Sequence, residues 1–328
     1  MIRVQAEEMH PMSAVRLRVD DELEGQRLTR AISFSIEGIS VRRAKELVDR
    51  GRVFVNERRI LTASARLHRG DSIEIFGSGE QTQSRLLPEH ILWESSELLV
   101  LNKPANLSVY GTHGVTGDTL LPRLEKMLVG ANHWSKDDRL TLVHRLDKDT
   151  TGALLVARNP GVAKVMENQF RHRTVEKRYV VLAAGSFTQK PFEQHSSVQV
   201  RRHAARAEQR PFTDTSSLSG RDSTPEKAVT IFHVLEIFSG CAMLEALPET
   251  GRTHQIRIHL SRMGTPVLGD IRYGPQRITN PLFREIPRQM LHARSLGFTE
   301  PRTGDWIKVQ APMPRDMEDV LRRLRALS

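Results

Sequence analysis

The sequence predicts an α+β protein made of two folded units. Three observations carry this prediction: a length of 328 residues, helical and strand-like hydrophobic patterns in both halves, and a polar segment between them. A chain of this length exceeds the size of one ordinary compact domain. Hydrophobic residues make up 38% and charged residues 27%, as in globular proteins, so the chain is not expected to be disordered throughout.

The unit boundaries follow from where hydrophobic periodicity starts and stops. Residues 1–13 show none and are predicted to be a flexible tail. Regular patterns run from 14 to 76, and the segment 77–88 is rich in Gly, Ser and Gln, which is typical of a linker. A larger unit is predicted over 89–328. Within it, residues 187–226 are polar without periodicity, so we expect an irregular or mobile excursion there.

The N-terminal unit is predicted to contain a basic helix followed by two strands. In VRRAKELVDRG, apolar residues recur at helical spacing opposite basic ones, and Gly51 is placed to end the helix. The basic residues are Arg42, Arg43, Lys45 and Arg50. RVFVNERRI then indicates a strand with a turn at Asn56-Glu57, and GDSIEIF indicates another strand.

Three segments of the larger unit place polar residues at the ends of apolar stretches. In ELLVLNKPANLSVY a strand ends at Lys103, where a cation beside a rigid proline suits phosphate binding. In LVHRLDKDTTGALLVARN, Asp147 lies in a turn between two strands. In TGRTHQIRIHLSRMGTPVLGDIRYG, apolar residues are spaced four and three apart, so we predict a helix with Thr253 as N-cap and Gly264 as terminator.

Asp147 has two interpretations on spacing alone. An Asp in DKDTTG is commonly a turn former, because its side chain accepts hydrogen bonds from nearby backbone N–H groups. However, His144, Arg145 and Lys148 place positive charge around this carboxylate, which favours an ionised and oriented group. Arg257, on the polar face of the predicted helix, is a candidate partner for it.

The net charge of +10 attracts polyanions, of which nucleic acid and anionic membrane surfaces are the usual candidates. No apolar run approaches the roughly 18 residues of a membrane span, and the N-terminus lacks a signal-type apolar core, so we expect a cytoplasmic protein. Cys241 is the only cysteine, and its apolar context predicts a buried core residue. His254 and His259 are five apart, which does not suit paired metal ligands on a helix, so no metal or cofactor is expected.

RLTRAI, VRRAKELVDRGRVFVN and HRGDSIEI together resemble the alpha-L RNA-binding module, first known from a small-subunit ribosomal protein. The resemblance implies that the basic helix and the following turn face RNA. It assigns phosphate contacts to the four basic residues Arg42, Arg43, Lys45 and Arg50. Without the resemblance, the same pattern is that of a solvated helix face.

HRLDKDTTG, NKPAN and GRTHQIRIHL, with GD and YG following, resemble the motifs of the large pseudouridine synthase family that acts on ribosomal and some transfer RNAs. The resemblance implies the pseudouridine synthase fold, a mixed, largely antiparallel sheet flanked by helices with the cleft at its centre. Asn106 stands where the family usually has glycine. Asn tolerates left-handed backbone geometry, so the turn is expected to persist.

The same resemblance implies specific residue roles. Asp147 is implied to be the essential aspartate, and Arg257 the basic residue that pairs with it. Arg145 is implied to enter the RNA stack when the target base is displaced. Tyr179, in EKRYVVL, is implied to pack on the uracil ring, where stacking on an aromatic face stabilises a base by about 1–3 kcal/mol.

The expected reaction isomerises uridine to pseudouridine within structured RNA. The bond from uracil N1 to the ribose breaks, the base rotates, and the ribose rejoins at C5, so no redox change or outside group is needed. A carboxylate can promote this reaction as a nucleophile at the sugar or at the base, or as a base that removes a sugar proton. The sequence leaves these routes open. The nucleotide must first be flipped out of the RNA stack. Large-subunit ribosomal RNA is the preferred substrate, transfer RNA the second, and a monomer is expected.

Two other classes of protein stay open. A non-catalytic RNA-binding ribosome-assembly factor could keep the fold, but the presence of Asp147, Tyr179 and Arg257 argues against it. A glycoside hydrolase or nucleosidase would need a second acid, for which Asp149 is the only close candidate.

Overall fold

The structure is a computed structural model. It describes residues 4–5, 14–77, 86–111, 119–131, 133, 135, 137–188, 192–198 and 226–327. Most of the predicted tail over 1–13 and of the predicted linker over 77–88 lies outside these ranges, as does 199–225.

The helices and strands of the described ranges follow one another along the chain. The α-helices are α1 (Leu28–Ser35), α2 (Val41–Asp49), α3 (Leu120–Gly130), α4 (Pro160–Arg171), α5 (Gln255–Arg262), α6 (Pro281–Glu285) and α7 (Arg315–Ala326). The first six strands are β1 (Val4–Gln5), β2 (Ala14–Arg18), β3 (Ile36–Glu37), β4 (Val53–Val55), β5 (Arg58–Arg59) and β6 (Ser72–Phe76). The later strands are β7 (Ile91–Glu94), β8 (Leu98–Lys103), β9 (Thr141–Leu142), β10 (Thr151–Ala157), β11 (Glu176–Ala184), β12 (Phe192–Val198), β13 (Glu226–Phe238), β14 (Cys241–Pro248), β15 (Leu291–Thr299) and β16 (Trp306–Gln310).

Residues 14–77, which we call the N-terminal unit, pack α1 and α2 against an antiparallel sheet with strand order β2-β6-β4-β5. Helix α2 begins at Ser40, whose hydroxyl accepts the Arg43 backbone N–H, and it is followed by Gly51 at φ 63°. The predicted turn is confirmed, since Asn56 and Glu57 have φ of 49° and 64°, the left-handed geometry of a tight hairpin. The alpha-L identity of this unit stays a prediction.

The larger part of the chain is built on one sheet with the strand order β12-β13-β14-β11-β15-β10-β8-β7, to which β16 adds beside β15 and β9 beside β10. Among its described pairings, β10 with β15 is the parallel one and the others are antiparallel. This confirms the predicted α+β class with a mixed, largely antiparallel sheet.

Helices cover both faces of this sheet because its central strands alternate two buried sets of side chains. In β8, Leu99 and Leu101 pack with α3, whereas Leu98 and Val100 pack in the cluster that contains α4. In β11, Val181 and Ala183 pack with α5, whereas Val180 and Leu182 pack with α6 and α7. Cys241 is buried in that last cluster, as predicted.

Helix α7 packs on the larger unit through one apolar face, made of Met317, Val320, Leu321 and Leu324. The excursion expected over 187–226 is not irregular throughout, because Phe192–Val198 pairs antiparallel with Glu226–Phe238 as an added strand of the sheet. Across the part of the chain that the structure describes, no helix is long and apolar enough to cross a membrane.

Candidate active site

A cavity of about 520 Å³ opens near the middle of the sheet, and its walls come from segments distant in sequence. The turn between β9 and β10, strand β11, and the start of α5 all contribute. Four residues singled out in the sequence line it: Arg145, Asp147, Tyr179 and Arg257. The fold therefore brings these four together.

Asp147 lies in the turn that leads into β10. Its carbonyl accepts the Thr150 backbone N–H at 3.1 Å, so the backbone closes the turn and the carboxylate is left for other partners. Arg257 Nη1 donates to Asp147 Oδ2 at 2.9 Å, and the aspartate side chain is 14% exposed. The carboxylate thus faces the cavity while one oxygen is fixed by a guanidinium.

Arg257 is held from its other side by Asp270. Its Nε donates to Asp270 Oδ2 at 2.7 Å and its Nη2 to Oδ1 at 2.9 Å, a bidentate pair that fixes the guanidinium plane. Burial alone would lower the pKa of Arg257, but hydrogen bonds and charges from Asp270 and Asp147 raise it above its ordinary value. Arg257 is therefore a permanent, oriented cation between two carboxylates.

Asp270 is itself fully buried and saturated with donors. Besides Arg257, its Oδ1 accepts the backbone N–H groups of Arg272 at 2.9 Å and Tyr273 at 3.0 Å. The Arg257 guanidinium carbon also lies 5.0 Å from the centroid of the Tyr273 ring. The carboxylate of Asp270 anchors the arginine to the backbone of the loop that follows α5.

His254 is a second basic neighbour of Asp147. It starts α5 in left-handed geometry, with φ 56° and ψ 22°, so Thr253 is not the N-cap and that prediction is wrong by one residue. His254 Nδ1 is 2.8 Å from the Tyr273 hydroxyl, and Nε2 is 3.7 Å from Asp147 Oδ1. Burial lowers the pKa of His254, while Asp147 opposes that shift.

Tyr179 lies on β11, at a register shift between Arg178 and Tyr179 where the strand pairs with β15. Its ring lines the cavity and also packs at the edge of two buried clusters. Burial raises the pKa of its hydroxyl, and the nearby charge of Asp147 raises it further, so the phenol stays neutral. A neutral ring beside the carboxylate offers an apolar platform to a base.

Arg145 is exposed at the rim of the cavity, where its guanidinium carbon lies 5.6 Å from the Tyr110 ring centroid. Tyr110 is 49% exposed and lines the same cavity. A cation over an aromatic face is a modest attraction at an exposed site, so Arg145 can leave it for another planar partner.

The phosphate contact predicted for Lys103 is wrong. This side chain is completely buried, and its ammonium donates to the carbonyls of Pro104 at 2.8 Å, Leu107 at 3.0 Å and Lys148 at 2.9 Å. Burial lowers its pKa to about 7, against which the charge of Asp149 acts. Since an ammonium has three donors, Lys103 ties two loops together and has no donor left for RNA.

His144 and Lys148 were predicted to place positive charge around Asp147, but in the part of the chain that the structure describes neither binds its carboxylate. His144 accepts the Leu155 backbone N–H at 2.8 Å and stacks on Phe170, and burial lowers its pKa to about 3, so it is neutral. Lys148 is exposed and, with Asp149, lines a different cavity. The positive charge beside the carboxylate comes from Arg257, its predicted partner.

The left-handed backbone predicted for Asn106, in NKPAN, is confirmed, since its φ is 60°.

The basic face of α2 is solvent-exposed, and several of its cations pair within the helix. Arg42 and Arg43 approach Glu46 at 3.6 and 3.0 Å, and Lys45 approaches Asp49 at 2.5 Å. Phosphate contacts by Arg42, Arg43, Lys45 and Arg50 stay predictions.

Several side chains that shape the site were not predicted from the sequence. Asp270 and Tyr273 lie in the GD and YG motifs, which carried no predicted role, although either residue could have been considered as a further partner of Arg257. Tyr110 and Lys177 carried no signal in the sequence. Within the described residues, no group of three or more His, Cys, Asp or Glu side chains is arranged to hold a metal ion.

Several known proteins are similar to this chain in sequence and in fold. The family described as RNA pseudouridylate synthase matches residues 97–262. A ribosomal large subunit pseudouridine synthase D of Nitrosomonas europaea is 33% identical over 96% of this chain and 89% of the relative. A ribosomal large subunit pseudouridine synthase C of Vibrio parahaemolyticus is 30% identical over 96% of this chain and 99% of the relative. The solved structure of human RNA pseudouridylate synthase domain containing 4 has a TM-score of 0.56 and 28% identity, covering 73% of this chain and 94% of that one.

Proposed function

The chain belongs to the RNA pseudouridylate synthase family, and from this premise we propose that it isomerises uridine in large-subunit ribosomal RNA with Asp147 as its essential side chain. The names of the relatives support the RNA class, since two of them are ribosomal large subunit synthases. Transfer RNA is the second candidate substrate. A monomeric, cytoplasmic enzyme stays our expectation.

One observation carries the assignment of Asp147: its carboxylate faces a cavity beside the neutral ring of Tyr179, while Arg257 fixes one of its oxygens at 2.9 Å. A carboxylate aimed by a charged hydrogen bond loses little freedom when it attacks or takes a proton. The second oxygen, 3.7 Å from His254, has no such short bond to Arg257 and is the one we assign to the substrate.

Binding of the substrate requires the target nucleotide to leave its stack, at a cost of a few kcal/mol. We assign Arg145 to the vacated position, because its planar guanidinium already lies over an exposed ring, that of Tyr110. Tyr179 would then receive the flipped uracil, for which an aromatic face is worth about 1–3 kcal/mol.

The test is tritium release from C5 of uridine in labelled large-subunit ribosomal RNA. Wild-type protein is expected to release tritium, and Asp147→Asn is expected to release none above background, because the amide keeps the shape but loses the nucleophile and base. Asp149→Asn is the matched control, since Asp149 lines another cavity, and it is expected to stay active.

Three outcomes would contradict the proposal in different ways. Release by neither protein from ribosomal or transfer RNA, with RNA binding intact, would favour the non-catalytic assembly factor. Equal release by wild type and Asp147→Asn would remove the role of this aspartate. Loss of activity in Asp149→Asn alone would shift the chemistry to the other cavity.

A further inference from the structure

We propose that Arg59, in the N-terminal unit, is a positioning residue for the active site. It holds the loop that carries Asp270, and through Asp270 and Arg257 it fixes the orientation of Asp147. The inference rests on the proposed function, since it gives the N-terminal unit a task in the chemical step besides the RNA contact predicted for it.

Arg59 joins the two parts of the molecule at the loop after α5. Its Nη1 donates to the Asp270 carbonyl at 3.3 Å, and its backbone N–H donates to the Gln276 carbonyl at 2.7 Å. The side chain is only 7% exposed and lies over the Phe54 ring at 5.2 Å. Burial lowers its pKa to about 10, which still leaves it charged at neutral pH. RNA in solution therefore has little access to this guanidinium.

Other buried cations hold the same junction, so the N-terminal unit is fixed in orientation. Arg52 Nη1 donates to the carbonyls of Glu285 at 3.1 Å and Ile286 at 3.2 Å. From the opposite side, Arg284 Nη2 donates to Glu74 Oε1 at 3.2 Å. Arg52, Arg284 and Glu74 are each less than a tenth exposed. Rotation of the N-terminal unit against the sheet would break several buried, charged hydrogen bonds at once. Each broken bond would leave a buried polar group without a partner, which destabilises the protein.

The loop that Arg59 reaches has little freedom to absorb a displacement. At Gly269, φ is 76° and a Cβ would lie 1.9 Å from the Arg288 carbonyl oxygen, so this backbone packs directly on another. One residue later, the carbonyl of Asp270 meets Arg59 while its carboxylate binds Arg257 through two bonds. A shift of this peptide therefore moves the guanidinium that binds Asp147.

The path from the N-terminal unit to the catalytic carboxylate has three links. Arg59 binds the Asp270 carbonyl, the Asp270 carboxylate binds Arg257, and Arg257 binds Asp147 at 2.9 Å. Each link is a charged hydrogen bond among buried or nearly buried groups, which transmits geometry better than exposed contacts do. An N-terminal unit that only captured RNA would need no such path.

The experiment measures kcat and KM separately on a ribosomal RNA fragment, for Arg59→Met, Arg59→Lys and Arg58→Met. Arg58 is the adjacent exposed arginine, so its variant loses the same charge outside the path. Arg59→Met is expected to lower kcat about tenfold with KM changed less than about twofold. Arg59→Lys is expected to recover most of kcat, and Arg58→Met to keep wild-type kcat. An unchanged kcat in Arg59→Met, or a change in KM alone, overturns the proposal.

A second measurement is independent of catalysis. The Arg257 Nε–H, bonded to Asp270, is observed by ¹⁵N NMR and assigned by its loss in Arg257→Lys. Its hydrogen exchange is expected to be at least about tenfold faster in Arg59→Met than in Arg58→Met. If the wild type releases no tritium, the proposed function fails, and the exchange rate alone tests whether Arg59 positions Arg257. Equal exchange rates in Arg59→Met and Arg58→Met would overturn that role. If Arg59→Met does not fold by circular dichroism, Arg59→Gln replaces it in both measurements.

Discussion

Two groups of cations in this molecule share residue type but not environment. Those on α2 are exposed and pair with acids one turn away, as Arg42 does with Glu46, with the Arg42 side chain 91% exposed. The second group is buried and each member binds several partners at once, as Arg257 does with Asp147 and Asp270, with its side chain 8% exposed. The first group is screened by salt and free to exchange partners, whereas the second is fixed.

Exposed charge attracts ligands, whereas buried charge orients side chains. An exposed ion pair contributes little to stability, so little is lost when a phosphate replaces the intrahelical acid. A buried pair that loses one partner leaves an uncompensated charge, so its geometry is kept even when a substrate arrives. We therefore expect changes on α2 to alter RNA affinity and changes at Arg257 to alter the chemical step.

The largest effect is expected for Arg257→Lys. One ammonium keeps the charge but cannot replace the fork that binds both oxygens of Asp270 and still reach Asp147. The single-turnover rate is expected to fall about 100-fold while the dissociation constant for RNA stays within about threefold, as for loss of a preorganised donor. Arg272→Lys, an exposed neighbour that also lies near the Tyr273 ring, is the control and should keep the rate. A fully active Arg257→Lys would contradict the view that the buried cations orient the site and the exposed ones do not.

A smaller effect is expected for the triple variant Arg42→Gln, Arg43→Gln, Lys45→Gln. If these cations contact phosphates, the dissociation constant for RNA should rise about tenfold at 0.1 M salt, and its log–log dependence on salt should flatten by about two to three. The urea midpoint of unfolding should not change. Removing the acids instead, in Glu46→Gln with Asp49→Asn, should tighten binding. If neither variant changes the salt dependence of binding, the cations of α2 belong to a solvated surface that does not contact RNA.

The smallest expected effect is a pH dependence caused by Lys177. This residue lines the active-site cavity. Burial, with help from Arg173, lowers its pKa to about 8. The side chain is therefore charged below pH 8 and neutral above it, so its attraction for RNA is lost as the pH rises through 8. KM is expected to rise about threefold between pH 7 and 9 in wild type and to stay flat in Lys177→Arg. A rise of equal size in Lys177→Arg would assign the titration to another group.

Local structure was predictable where a short pattern has a local cause. Gly51 after α2 and left-handed Asn106 were predicted because few residue types adopt positive φ at low energy, and the Asn56–Glu57 turn because it interrupts a strand pattern. The start of α5 was misplaced by one residue, since Thr253 has the usual capping side chain and nothing in the sequence marks His254 as left-handed.

The contents of the site were predictable only through motifs, and their environment was not. Lys103 and His144 looked like available cations, but burial between strands turns one into a tie between loops and the other into a neutral acceptor. Arg52 and Arg59 carried no signal, because their partners lie 233 and 211 residues further along the chain. Burial and distant partners are set by tertiary packing, which a linear pattern does not contain.

That separation in sequence has a consequence for synthesis. The N-terminal unit leaves the ribosome long before the segment it docks on, and at ordinary elongation rates the 233 residues between Arg52 and Glu285 take roughly 10–50 s to make. For most of that interval the basic residues of α2 have been made, while Arg257, the residue that orients Asp147, has not. If α2 contacts RNA as predicted, a nascent chain binds RNA before it is able to modify it.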